Sequence, residues 1–382
     1  MGAIRLFLAL AVLQSHVYGH FLRPAQIYVN NSLVLGVNGG YAVAFFFIIS
    51  GFLISFVLED KYDRPGGTAA FYRARALRIY PLWWCLYLIV PFITEGGLWE
   101  FIKTHHAYDL LTGFFIYGSD WLLSFKTYPA SYTNPMPHGL ELGWTLASEM
   151  TFYLIAPFVL RSRVWPLVIF AGSVLLRMRL NIAFPPDSDA NLWNNWCYYF
   201  FPSTVFFFML GHLTRQVYKN AQMSSTAGWV GLGLAALVCL IQDAHYYFDN
   251  VDFYVAILIF AAVLPAVFEA SKNNRICNFL GDLTYPLYLS HGVLIVLVES
   301  DNSFLFGLQE KLLAAANMIP GNNSLTLYSK GLLVSASIWA LALLVAAAVH
   351  FAIEKPAVAG LRTVFRAYDA ARRQPARNAV AP

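Results

Sequence analysis

Apolar runs dominate the chain, recurring near residues 4–20, 40–58, 79–94, 143–160, 165–181, 198–213, 226–242, 251–268, 283–298 and 328–353. Each approaches the roughly 20 residues that a helix needs to cross a bilayer, so the pattern predicts an all-α bundle of about ten transmembrane helices. Residues 108–123 (DLLTGFFIYGSDWLLS) form one further, shorter apolar stretch. Composition removes the soluble alternative. Charged residues make up 12% of the 382 positions and hydrophobic residues 58%, whereas a soluble domain is about 25% charged. Too little polar surface remains to cover a water-soluble globule of this length.

The few charges orient the bundle. A formal net charge of +4 is too small and too dispersed for a nucleic-acid-binding face. With a cytoplasmic N-terminus, Arg5, the inner loops 59–78, 161–164, 214–225 and 269–282, and the tail from 354 hold 18 of the 25 Lys and Arg residues. The positive-inside rule therefore places both termini in the cytoplasm. Counting 108–123 as a span would invert every later loop, so it is read as interfacial or re-entrant within an outer loop 95–142. It must then pack on protein, because lipid-exposed irregular backbone is not tolerated. Arg5, the apolar stretch 6–13 and Val17-Tyr18-Gly19 imitate a secretory signal, but Gln14, Ser15 and His16 interrupt it, and the segment is read as the first span. Cys85, Cys197, Cys239 and Cys277 contain no C-x-x-C pair and read as isolated thiols rather than a zinc site or disulfide framework. The N-x-S triplets at Asn30 and Asn322 would matter only in a eukaryotic secretory compartment.

Ionisable groups within spans cost about 2.5–3.5 kcal/mol each at a helix centre, which makes the exceptions informative. Arg5 and His16, eleven residues apart, share one face of the first helix about 16 Å apart along its axis. Arg5 suits an anion at the cytoplasmic end and His16 a proton at depth; the plainer reading is a core histidine with Arg5 as a topology anchor. Arg75 and Arg78, at i and i+3, set two guanidinium forks side by side as phosphate recognition requires, or simply form a basic loop that enforces topology. Pro81 after them predicts a bend into the third span. Glu149, about two turns inside the fourth span, has no basic residue within a turn. It must face a wet cavity, find a partner on another helix or hold a proton, and the alternative to function is a structural ion pair. Tyr285, Tyr288 and His291 form a polar seam along the ninth span, while His350 and Glu354 read mainly as a helix-end pair.

The motifs Arg5-x10-His16, Phe46-Phe47-x-x-Ser50-Gly51-Phe52, Arg75-x-x-Arg78-Ile79-x-Pro81, Trp144-Thr145-Leu146-x-x-Glu149-x-x-Phe152-Tyr153, Thr284-Tyr285-x-x-Tyr288-Leu289-x-His291 and Glu354-x-Pro356 follow in order from residue 5 to 356. In these the chain resembles acyltransferase family three, the integral-membrane enzymes that O-acetylate bacterial surface polysaccharides and related acceptors. Thr145 and Thr284 stand where serine is common, a change that keeps the hydroxyl. The resemblance implies a single transmembrane acyltransferase domain over 1–360, with 361–382 as a basic cytoplasmic tail lacking fixed structure. It implies the stand-alone form, located in the bacterial cytoplasmic membrane.

It further implies an enzyme moving an acyl group, usually acetyl, from cytoplasmic acyl-CoA to a hydroxyl of a glycan or lipid-linked glycan, with no metal. Relatives use the residues matching His16, the Arg75–Arg78 pair and Glu149. On this chain His16 is assigned as base, Glu149 as its orienter or as part of the acceptor pocket, and Arg5, Arg75 and Arg78 as acyl-CoA ligands. Trp144, Tyr285, Tyr288 and His291 line the pocket, with Tyr288 and His291 as donors. Direct transfer and an acyl-histidine intermediate both remain open. Trp99, Tyr108, Trp121, Tyr128, Tyr132, Trp193 and Trp196 offer either sugar-stacking surfaces or an interfacial belt. The competing reading is a transporter or exporter of acidic metabolites or glycan precursors, although no internal repeat supports it.

Overall fold

The computed structural model describes residues 1–27, 37–125, 136–186, 190–219, 224–241, 251–300, 305, 307–321 and 323–365. Asn30, Asn322, Tyr128, Tyr132 and residues 366–382 of the expected tail lie outside them. Among the described residues the elements are helices alone, in the order α1 Gly2–Val17, α2 Gly39–Tyr62, α3 Gly67–Ile89, α4 Leu98–Thr104, α5 Ala107–Phe115, α6 Ser119–Phe125, α7 Gly143–Val159, α8 Trp165–Ala183, α9 Phe201–Tyr218, α10 Ser225–Ile241, α11 Val251–Ser271, α12 Arg275–Glu299, α13 Leu308–Asn317 and α14 Ser324–Val349. A helix stands at each of the ten predicted places. Seven (α1, α2, α3, α8, α11, α12 and α14, some with their continuations) are long and apolar enough to cross a membrane. The others, α7, α9 and α10, have 17, 18 and 17 residues, which gives about 26 Å each. The fold is an all-α polytopic membrane protein.

Asparagine side chains start three of these helices. Asn38 accepts from the amides of Gly40 and Tyr41, Asn274 from that of Cys277 and Asn323 from that of Thr326, so each satisfies donors that the first turn leaves unpaired. The α2 helix is apolar around nearly its whole circumference and sits in the centre of the larger hydrophobic cluster. A second cluster forms where α1, α12 and α14 meet. At the α2–α9 crossing the backbones touch. A Cβ on Gly51 would stand 2.0 Å from the Phe208 carbonyl oxygen, and one on Gly211 would stand 2.0 Å from that of Ile48. Small residues permit this approach in a membrane, where packing drives helix association. Gly51→Ala is therefore expected to destabilise the protein by about 1–3 kcal/mol, measured as an earlier thermal unfolding transition in detergent.

The structure departs from the sequence expectations in three places, one being that the last helix continues to Phe365, so the first residues of the expected tail 361–382 are helical. The basic segment expected as an inner loop is helical from Gly67 onward, and α3 runs without interruption through Pro81. Ala-Ala-Phe-Tyr-Arg-Ala-Arg-Ala-Leu-Arg is rich in strong helix formers, and its charges hide it from a reading of apolar runs. The 108–123 stretch is two short helices rather than one. They are separated by left-handed residues at Ile116 (φ 69°) and Gly118 (φ 84°), and neither exceeds about 14 Å in length. The stretch packs on protein. Donors on one face of α3 reach its carbonyls: Tyr80 bonds Phe115, Trp83 bonds Gly113, Trp84 bonds Phe114 and Tyr87 bonds Leu110, at 2.9–3.1 Å.

Candidate active site

Arg5, Arg75, Arg78, Glu149, Tyr285 and Tyr288 line one cavity of about 120 Å3 between α1, α2, α3, α7 and α12. Helical spacing on α3 puts Arg75 and Arg78 side by side, and Arg5 joins them from the first turns of α1. Arg75 lies with its guanidinium 5.8 Å from the ring centroids of both Phe71 and Tyr153. Its buried Nε has no hydrogen-bond partner. Glu149 accepts from Ser50 Oγ at 2.8 Å and from the Tyr153 hydroxyl one turn along α7. It forms no ion pair among the described residues. Glu149 thus has a cavity and a partner on another helix, and the structural ion pair that would have explained it away is not formed. Tyr285 donates to the Ile79 carbonyl at 2.7 Å. The Tyr288 and Thr145 hydroxyls share a 2.6 Å bond at the opposite end from the arginines.

Three predicted residues stand outside the cavity lining. His16 lies among other rings, with centroids 5.6 Å from His291 and 6.2 Å from His20. No hydrogen bond joins it to Glu149, whose partners are Ser50 and Tyr153, so the orienting role drawn for Glu149 has no contact behind it. His291 touches both His16 and Tyr288, the latter at 5.7 Å, and its Nδ1 is 3.1 Å from the Leu287 carbonyl. A carbonyl only accepts, so the proton sits on Nδ1 and the neutral ring offers an acceptor rather than the expected donor. Trp144 packs against Tyr198 and Tyr199, at 4.8 Å from each. The expected helix-end pair is present, with His350 Nδ1 and Glu354 Oε2 2.7 Å apart. Among the outer aromatics, Trp193 is 1% exposed and donates to Asn181, so it presents no face to a sugar.

Several residues of the site escape sequence reasoning. His20 lies four residues beyond His16, a spacing that was visible, and Tyr153 closes the Trp144–Tyr153 motif one turn beyond Glu149 without a role assigned to it. Glu299, which bonds His20 Nδ1 at 2.9 Å, and Ser50 as the partner of Glu149 emerge only from the tertiary fold. The segment before α7 forms a lip seated on α12 beside His291. A Cβ on Gly292 would meet the Gly139 carbonyl oxygen at 2.3 Å. Glu141 braces this lip, bonding His138 Nδ1 at 2.6 Å and the Gly139 amide at 2.7 Å, while the His138 amide reaches Glu95 at 2.9 Å. The hydrogen bond that His138 donates to the Glu141 carboxylate is the main reason that the His138 pKa lies above the usual 6.5. With a raised folded value, this contact's contribution is complete below the unfolded value and is lost as pH climbs through the folded one. In an NMR titration Glu141→Gln should bring His138 back toward 6.5; an unmoved midpoint would remove Glu141 as the cause.

An acyltransferase-domain family model matches residues 1–353. The chain belongs to acyltransferase family three. Among curated relatives of this acyltransferase, Nodulation protein 10 of Rhizobium leguminosarum bv. viciae is 25% identical over 311 residues, covering 75% of this chain and 80% of its own length. Acyltransferase MdmB of Streptomyces mycarofaciens is 22% identical over 322 residues, covering 77% and 78%. Peptidoglycan O-acetyltransferase OatA of Listeria monocytogenes is 25% identical over 290 residues, covering 68% of this chain and 46% of OatA. No solved structure matches. Family and relatives together make this acyltransferase a multi-pass membrane O-acyltransferase.

Proposed function

We propose that the protein transfers an acyl group, acetyl in the first instance, from cytoplasmic acyl-CoA to a hydroxyl of a cell-envelope glycan or lipid-linked glycan. The observation that carries this reading is the charge imbalance of the cavity, where three guanidinium groups face a single carboxylate. Positive charge gathered in a membrane interior is costly without a counter-ion. The unpartnered Arg75 Nε adds a donor waiting for an acceptor. Phosphate oxygens of coenzyme A supply both charge and acceptors. The distribution of basic residues supports a cytoplasmic position for Arg5, Arg75 and Arg78, the side on which acyl-CoA is found.

The cavity joins Arg5, Arg75 and Arg78 to Thr145 and Tyr288, so a donor whose phosphates rest on the arginines would carry its acyl group toward those two hydroxyls. The acceptor approaches from the opposite side, past His20 and the lip braced by Glu141. The hydroxyl oxygen bonds to the acyl carbon, its proton passes to His16, and the carbon–sulfur bond breaks with the electron pair leaving on the thiolate. To serve an oxyanion, the Tyr288 hydroxyl must release Thr145, whose own proton goes to the Leu142 carbonyl at 3.0 Å. The test incubates purified protein with radiolabelled acetyl-CoA and cell-envelope glycan. Label recovered as an alkali-labile ester on the glycan is expected. Label that crosses the bilayer of a proteoliposome without any ester forming would overturn the reading in favour of transport.

A further inference from the structure

The ring of His291 has one nitrogen accounted for and one not. Nδ1 donates to the Leu287 carbonyl, which leaves a bare lone pair at Nε2 in the neutral ring. That ring is fully buried and Nε2 has no hydrogen-bond partner. Buried polar atoms are nearly always paired, so an orphan asks for an explanation. Two rings stand within reach. The Tyr288 hydroxyl is already engaged with Thr145, whereas His16 lies with its ring centroid 5.6 Å away and tilted by 48°. Two imidazoles joined head-on by an N–H···N bond have centroids about 5.2 Å apart once the ring radii are added to the bond length. A turn of the His16 ring with a displacement of a few tenths of an ångström would bring one of its N–H groups to that lone pair. The nearby carboxylates are committed elsewhere: Glu149 to Ser50 and Tyr153, Glu299 to His20, and Glu141 to His138.

We propose that His291 is the positioning residue for His16: its Nε2 accepts an N–H from His16, fixing the tautomer of His16 and turning the other nitrogen of that ring toward the acceptor hydroxyl. The inference rests on the reading of His16 as base. Once His16 takes the hydroxyl proton it carries N–H on both nitrogens, and the His291 lone pair holds the one not facing substrate. This is the service a carboxylate gives the histidine of a catalytic triad. A neutral imidazole performs it here without a further buried anion.

The test compares His291→Gln, His291→Met and the double variant His16→Ala/His291→Met in the full-length protein with acetyl-CoA and glycan. Glutamine sets a carbonyl oxygen close to the place of Nε2, and methionine fills the space without a strong acceptor. His291→Met should lower kcat by about 10²-fold with KM for both substrates unchanged, and His291→Gln should recover most of that loss. Adding His291→Met to His16→Ala should cost nothing further, because residues that act as a unit are not additive. An unchanged kcat in His291→Met, equal losses in the two single variants, or additive losses in the double variant would each overturn the proposal. Should methionine prevent folding, His291→Asn replaces it, since its shorter amide reaches only the level of Nδ1; asparagine and glutamine acting alike would overturn the assignment. Absence of ester formation by the unmodified protein strikes the proposed function instead, so the two failures are distinct.

Discussion

Alanine at position 16 is expected to lower acyl transfer by about 10³-fold, within the range that a positioned general base contributes, while acyl-CoA binding stays within about twofold of the unmodified protein. The separation follows from α1 itself. Arg5 lines the cavity and His16 does not, and eleven residues of helix put about 16 Å between them. Removing the imidazole therefore takes away the proton acceptor and leaves the donor's ligands in place. Initial rates with labelled acetyl-CoA give the first quantity and isothermal titration with coenzyme A the second. Transfer at the unmodified rate would remove His16 from the chemistry.

Replacing Arg75 and Arg78 together by alanine should weaken coenzyme A binding by about 10²–10³-fold, since each charge-assisted hydrogen bond is worth about 1.5–3 kcal/mol. The half-buried position of the pair keeps the effect below the full sum. Binding to the unmodified protein should also weaken with salt, and the double variant should lose most of that dependence. Lysine at both positions tests the geometry. It keeps the charge and forfeits the fork, so affinity should fall between the two. Equal coenzyme A affinity in the unmodified and alanine proteins would refute the phosphate role. Thermal unfolding without ligand should change little in either variant, because neither arginine forms an ion pair among the described residues.

What was legible in the sequence follows from which forces are local. The places of the long apolar helices could be read because a bilayer imposes length and apolarity on each span separately. The neighbourhood of Arg75 and Arg78 could be read because three residues of helix always bring side chains together. By contrast, the basic segment before Ile79 looked like a loop because charge hid a helix whose propensity was in plain view. The surroundings of Glu149 and His16 are tertiary. Ser50 meets Glu149 across the α2–α7 contact, and His291 meets His16 across α1–α12. Nothing in the spacing of one chain segment says which buried acceptor a distant donor will find. Glu149 is engaged by the Ser50 and Tyr153 hydroxyls, which no sequence spacing to His16 reveals.

On the proposed reading, the cavity grips the donor by the part that the reaction leaves unchanged. Arginines on phosphate hold spent coenzyme A as firmly as its acylated form, because the thioester they never touch is the only difference. Such uniform binding lowers KM without assisting the chemical step, and it makes the released carrier a competitor for its own successor. Turnover at the membrane should then follow the ratio of acylated to free coenzyme A in the cytoplasm rather than the amount of either, so that envelope decoration slows when the cell's acyl supply is spent.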